Sequence, residues 1–320
     1  MFFNKYMNHS VNPETQSFIN HVLAANHPPI SAMEPAELRN LNKMFVKASH
    51  PPEAIAKVEN RTIAGPAGEL PIRIYTPKGN QPFPVLVYFH GGGYVIGNLD
   101  MVDSICRSLA NGAECVVISV DYRLAPEHPF PAAIEDGLTA TEWVFNQAKT
   151  CNWDSDRIAV GGESAGGNLA AVVALKRRDQ KLAPLVYQLL IYPITQIEID
   201  SESRRLFAEN YFLRTDDIKH LCSFYITNPA DKNNPYSSPL LAEDLSNLPP
   251  ALIITAELDP LRDEGQAYGD RLQKAGVPVK ISCYPGTIHA FINLAGFISQ
   301  GQEALAECAI ELKQRFSHKS

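Results

Sequence analysis

The chain has 320 residues, 45% of them hydrophobic and 20% charged, with a formal net charge of -7. That balance suits a folded domain with a large core and offers no broad positive field for a phosphate backbone or an anionic membrane. Nucleic acid is therefore excluded as an expected partner, and with no segment of bilayer-spanning apolar length, no stable membrane insertion is expected either.

Six cysteines, Cys106, Cys115, Cys151, Cys222, Cys283 and Cys308, are scattered without a C-x-x-C pair. A zinc site or a disulfide framework is not expected from that spacing. The start, Met1-Phe2-Phe3-Asn4-Lys5-Tyr6, lacks the basic flank, apolar stretch and cleavage site of a signal peptide, so a cytoplasmic location is expected.

Residues 1–55 read as helical with interspersed prolines. From Pro71 onward, β-branched runs alternate with helical patterns, the signature of a mainly parallel sheet covered by helices. The first run, Ile72-Arg73-Ile74-Tyr75, alternates in polarity and is expected at an antiparallel edge. The next, Val85 to Phe89, is apolar throughout, as a strand buried on both faces should be. It leads straight into His90-Gly91-Gly92-Gly93-Tyr94. Consecutive glycines let backbone N–H groups approach a substrate oxygen without side-chain obstruction. Gly91 and Gly92 are thus candidate oxyanion donors. A flexible loop or a phosphate cradle is the alternative, but no G-K-[ST] follows. His90, at the strand end, reads as an organiser of this loop rather than a second base.

Val116 to Val120 is the next strand, followed by Asp121-Tyr122-Arg123-Leu124-Ala125-Pro126-Glu127, which reads as a braced structural turn. A helix is expected over Asp136 to Ala148. Ile158-Ala159-Val160 then runs into Gly162-Glu163-Ser164-Ala165-Gly166 and an alanine-rich helix from Gly166 to Arg177. The G-x-S-x-G turn between strand and helix lifts the serine hydroxyl above the sheet edge, although a glycine-flanked serine alone is often only a turn or an N-cap. Ser164 is the candidate nucleophile, and the N–H of Ala165 the third oxyanion donor.

After the strand Leu189 to Tyr192, residues 195–240 break the alternation, with Tyr211, Phe212, Phe224 and Tyr225 among charged residues. An insertion here would overhang the carboxyl ends of the strands. Leu206, Phe207, Tyr211 and Phe212 would either line an acyl pocket or pack within that insertion.

A serine needs a base, and the base needs a partner to fix its tautomer. Leu252 to Thr255 is followed by Asp259, with Glu257 its nearest competitor as the acid. Asp263 falls within the helix expected over Asp263 to Lys274, where it favours the N-terminal end. Val279 to Ser282 is followed by His289, and a last helix is expected over Glu303 to Phe316. The order Ser164, Asp259, His289 is the one α/β-hydrolases use.

Together, His90-Gly91-Gly92-Gly93, Asp121 to Glu127, Gly162 to Gly167, Asp259-Pro260-Leu261-Arg262-Asp263-Glu264 and His289-Ala290-Phe291 resemble the bacterial hormone-sensitive-lipase-like esterases, called family IV, over about residues 60 to 316. The resemblance implies an α/β-hydrolase fold with an eight-stranded, mainly parallel sheet and a helical cap. It implies hydrolysis of short- to medium-chain carboxylic esters through an acyl-enzyme, with no cofactor and no metal. Ser164, Asp259 and His289 would form the triad, with Gly91, Gly92 and Ala165 as the oxyanion hole. The expected division is 1–55 as N-terminal cap segment, 56–194 and 241–320 as catalytic domain, and 195–240 as cap insertion. A small-molecule ester is the expected partner, and the resemblance allows a homodimer. Two positions depart from the family: Glu163 stands where aspartate is common, and Ala290 where glycine is common. The same triad would also serve an amidase, lactonase, thioesterase or peptidase; an interfacial lipase and a non-catalytic ligand receptor are more distant alternatives.

Overall fold

A computed structural model describes residues 10–24 and 28–317. Residues 1–9 and 25–27, part of the expected N-terminal helical segment, lie outside the described residues, as does the start on which the signal-peptide reading rests.

Among the described residues the eight strands are β1 (Lys57–Gly65), β2 (Gly68–Thr76), β3 (Phe83–Phe89), β4 (Val116–Val120), β5 (Trp153–Glu163), β6 (Tyr187–Ile191), β7 (Ala251–Leu258) and β8 (Val279–Ile288). They form one sheet in the order β1-β2-β4-β3-β5-β6-β7-β8. Pairing is parallel from β4 through β3 to β8, while β2 is antiparallel to both β1 and β4. The expectation for Ile72 to Tyr75 needs correction on one point, since it is antiparallel but not an edge. The edge is β1, which the sequence reading missed because only Ile63 among its residues is buried.

Among the described residues the α-helices are α1 (Pro13–Ala24), α2 (Pro35–Leu38), α3 (Asn42–Ala48), α4 (Asp103–Ala113), α5 (Ala132–Cys151), α6 (Ala165–Asp179), α7 (Glu202–Leu206), α8 (Thr215–Tyr225), α9 (Arg262–Lys274) and α10 (Gln300–Ser317). Successive side chains of a strand point to opposite faces, and β3 shows the result. Val85, Val87 and Phe89 enter a core layer shared with α5, α6 and α9, while Leu86 and Tyr88 enter a second layer shared with α4 and α10. All seven β3 residues are buried. Each such aliphatic side chain contributes about 1.5–3 kcal/mol by leaving water, which fixes the strand at whose end the glycine loop begins.

Asn12, Glu14 and Ala48 tie the early helices to the last strand and the segment after it. Asn12 N–H donates to Gly286 O at 3.0 Å, Gly296 N–H donates to Ala48 O at 2.9 Å, and Ser299 N–H donates to Glu14 at 2.7 Å. The segment between β6 and β7 is fastened to the one after β7: Ser203 N–H donates to Asp263 at 2.7 Å, Ser203 Oγ to Pro260 O at 2.7 Å, and buried Arg204 pairs with buried Glu264 at 2.7 Å. Asp263 therefore sits in the first turn of α9 and also satisfies an orphan N–H of α7.

Candidate active site

The nucleophile turn is tight because nothing larger than hydrogen fits at its flanks. A Cβ on Gly162 would lie 2.4 Å from Phe89 O, and one on Gly166 would lie 1.9 Å from the same atom. Ser164 between them has φ 56 and ψ -117, a strained conformation for a residue with a side chain. The turn projects Ser164 Oγ to within 3.0 Å of His289 Nε2.

His289 leaves the end of β8, and its Nδ1 lies 2.7 Å from Asp259 Oδ2. A carboxylate only accepts, so Nδ1 carries the proton and Nε2 is left to accept from the serine hydroxyl. Asp259 is fully buried, and its other oxygen accepts the Leu261 N–H at 2.8 Å. Tyr192 sets its ring edge against the imidazole, with centroids 4.9 Å apart. The structure thus brings Ser164, Asp259 and His289 together. Glu257 is engaged elsewhere, accepting the Gly286 N–H at 2.7 Å. Ala290 has φ 66, a left-handed conformation that costs a residue with a Cβ about 1–2 kcal/mol. That is a physical reason for glycine to be common at this position.

The three glycines after β3 do not play equal parts. Gly91 N–H donates to Glu163 Oε1 at 2.7 Å, so the expectation that Gly91 faces a substrate oxygen is corrected: its donor is already used. Among the described residues, the N–H groups of Gly92 and Gly93 have no acceptor, and Ala165, as the first residue of α6, has none within its helix. Gly92 and Gly93 have φ 112 and φ 60, where glycine is needed.

His90 supports this loop. It is buried and neutral, its pKa pushed down to about 4 by desolvation, with Nδ1 donating to Gly91 O at 2.8 Å. Tyr122 stacks on it with centroids 4.3 Å apart and donates its hydroxyl to His90 O at 2.7 Å. Arg123 in turn holds buried Asp136 through Nε at 2.9 Å and its own N–H at 2.8 Å. The Asp121 to Glu127 segment is accordingly a brace beneath the glycine loop.

Above the serine lies a cavity of about 370 Å³ with largely apolar walls. The helical segments before β1 supply Val22, Ile30, Met33 and Phe45, and the segment between β6 and β7 supplies Phe212, Leu213, Ile218 and Leu221. Of Leu206, Phe207, Tyr211 and Phe212, only Phe212 reaches the cavity. Phe207 is buried against Tyr211, ring centroids 5.2 Å apart, because the short α7 turns it toward Arg262. A polar clasp joins the two walls: Ser31 N–H donates to Asp217 at 2.9 Å, and Arg214 donates to Ser31 Oγ at 2.6 Å.

Sequence reasoning missed Tyr192 and Asn293. Tyr192 donates to Asn293 Oδ1 at 2.8 Å, and Asn293 Nδ2 reaches Glu163 Oε1 at 3.4 Å. The available signal was the lone polar residue in Ala290-Phe291-Ile292-Asn293-Leu294-Ala295. Among the described residues no group of three or more metal-binding side chains converges, and no helix is long and apolar enough to cross a membrane.

Residues 86–293 match a family model described as alpha/beta hydrolase fold. The chain is 43% identical over 264 residues to esterase LipI of Mycobacterium tuberculosis, covering 80% of this chain and 82% of that protein. It is 39% identical over 285 residues to an arylesterase of Saccharolobus solfataricus, covering 88% and 92%. An ester hydrolase from the metagenome of Lake Arreo, solved with a derivative of bipyridine phosphonate, superposes with a TM-score of 0.94 at 44% identity over 96% of this chain and 100% of that one. The chain therefore belongs to the α/β hydrolase fold family and, within it, to the hormone-sensitive-lipase-like carboxylesterases.

Proposed function

We propose that this carboxylic ester hydrolase works through an acyl-enzyme on Ser164, with His289 as general base and acid and Asp259 as its orienting partner. The observation that carries the reading is the unbroken line of hydrogen bonds from Asp259 Oδ2 through His289 to Ser164 Oγ, 2.7 and 3.0 Å long. His289 Nε2 takes the hydroxyl proton as Ser164 Oγ attacks the ester carbonyl. The carbonyl oxygen becomes anionic and is received by the N–H groups of Gly92, Gly93 and Ala165. Gly93 replaces the Gly91 of the sequence expectation because Gly91 N–H is held by Glu163. As the tetrahedral intermediate collapses, the C–O bond breaks and the imidazolium returns its proton to the leaving alcohol. Water, deprotonated by the same imidazole, then attacks the acyl-enzyme and releases the acid and the free serine.

Residues 1–55 and 195–240 act as a two-part cap over the catalytic domain of 56–194 and 241–320. The reading is supported by the walls that both segments give the cavity and by the Ser31–Arg214–Asp217 clasp between them. A cavity near 370 Å³ lies at the small end of ligand pockets, which supports short to medium acyl chains. Six free thiols support a reducing, cytoplasmic location, and a homodimer is the assembly the family suggests.

The test is hydrolysis of nitrophenyl esters of increasing acyl length, with a matched anilide alongside, by wild type and Ser164→Ala. Activity peaking at short chains and lost in the variant is expected. Preferred turnover of the anilide would overturn the ester assignment.

A further inference from the structure

Glu163 stands beside the nucleophile, yet no step of the hydrolysis above uses it. Its side chain is buried, and Oε1 accepts two hydrogen bonds, one from Gly91 N–H at 2.7 Å and a longer one from Asn293 Nδ2 at 3.4 Å. Asn293 is itself held by Tyr192, whose ring abuts His289. A run of buried polar contacts therefore leads from the base to the first glycine of the loop.

The carbonyls at the start of that loop are held by Tyr122 on His90 O and by His90 Nδ1 on Gly91 O, and Glu163 holds the Gly91 N–H between them. The loop's far end is closed by Val95 and Ile96 N–H on Gly92 O, and Gly93 is covered by Leu221 of α8, which leaves no room for a Cβ. On the near side, the backbone and carboxyl of Glu163 both abut Gly91, where a Cβ would meet Glu163 O at 3.0 Å and Oε1 at 3.3 Å. Rotation of the Gly91 peptide would carry the next two N–H groups with it. Donors help only when aimed at the position where charge develops, so small misalignment is felt in the transition state more than in substrate binding.

We propose that Glu163 is a positioning residue for ester hydrolysis: its Oε1, steadied by Asn293, holds the Gly91 N–H and thereby aims the N–H groups of Gly92 and Gly93 at the oxyanion. The proposal rests on the Ser164 reading above. What the role requires is an acceptor lone pair, not a charge. The neighbours Tyr88, Tyr122, Tyr192 and Cys106 supply no cation, and burial pushes the Glu163 carboxyl up to about 7. A glutamine at this position keeps the acceptor, whereas alanine removes it.

The experiment measures kcat and KM for a nitrophenyl butyrate, and inhibition by butylboronic acid, in wild type, Glu163→Gln and Glu163→Ala. Loss of aim in Glu163→Ala is expected to lower kcat about 100-fold while KM stays within about threefold. The boronate, which places a tetrahedral oxygen in the same hole, should weaken by about tenfold or more. Glu163→Gln should restore kcat to within about fivefold of wild type. If Glu163→Ala does not fold, Asn293→Ala decides, with kcat expected to fall about fivefold to tenfold at unchanged KM. Unchanged kcat in the folded alanine variant, or a glutamine variant as impaired as alanine, would overturn the proposal. Failure of the Ser164 reading looks different, because Ser164→Ala would then match wild type.

Discussion

Replacing Arg204 by leucine tests whether the buried ion pair between α7 and α9 is required where it stands. Arg204 Nε and Nη2 lie 3.0 and 2.7 Å from Glu264 Oε2, while Oε1 accepts the Thr195 and Gln196 N–H groups at 2.9 and 3.3 Å. Exposure of the two side chains is 5% and 0%, so water cannot replace the lost guanidinium. Breaking such a pair from one side costs about 3–5 kcal/mol. With an unfolding entropy of about 2.1 cal/mol/K per residue, that is a fall in Tm of about 4–7 °C for a chain this long. Burial already raises the Glu264 pKa, and Arg204 opposes it; the variant removes the opposition and raises that pKa further. A carboxyl whose folded pKa is raised loses stability as pH rises from its unfolded value through its folded one. The deficit of Arg204→Leu should therefore be larger at pH 8 than at pH 5, read as unfolding midpoints at both. Adding Glu264→Leu should recover part of the loss at pH 8. A deficit under about 1 kcal/mol at pH 8, or one equal at both pH values, would refute the argument from an uncompensated buried charge.

Three further outcomes follow from the same geometry. Asp259→Asn should leave the fold intact and lower kcat about 10⁴-fold, because an amide nitrogen facing Nδ1 selects the wrong tautomer; a kcat within tenfold of wild type would contradict it. Gly92→Ala places a Cβ 2.3 Å from Ile96 O at φ +112, so kcat for esters should fall about 10²- to 10³-fold as the donors move, measured beside a thermal melt to exclude unfolding. Burial raises the Glu163 pKa from 4.5 to about 7, so the ionised carboxylate costs about 3 kcal/mol above pH 7 and little near pH 4.5. Relative to wild type, Glu163→Gln should accordingly gain stability as pH rises from 5 to 8, checked by urea unfolding at each end.

Much of the centre of this fold is legible in sequence because buried parallel strands carry uninterrupted apolar runs. Val85 to Phe89, Val116 to Val120 and Leu252 to Thr255 all fall within strands, and the chemistry sits where these runs end. The margins are less legible. β1 carries Lys57, Glu59, Asn60 and Arg61 on an exposed edge, so it offers no clear period. α4 does offer one, since Ile105, Cys106, Leu109, Ala110 and Ala113 are buried at helical spacing, and sequence reasoning missed it. The glycine loop shows why a motif does not settle the geometry within it. Three consecutive glycines give equal claims to Gly91 and Gly92, and only the side chain of Glu163, brought from 72 residues away, removes Gly91 from contention. The same limit applies to Tyr192 and Asn293, which meet across 101 residues. It applies also to Phe207, whose direction depends on how α7 seats against α9.

The central claim is an acyl-enzyme on Ser164, and the most direct measurement is rapid mixing with nitrophenyl acetate, followed by acid quench and mass spectrometry of the Ser164 peptide. The account predicts a burst of nitrophenolate approaching one per chain under conditions where deacylation is slower, an acetyl group on that peptide, and neither in Ser164→Ala. A burst and an acetylated peptide elsewhere in the chain, or full turnover by Ser164→Ala, would contradict it.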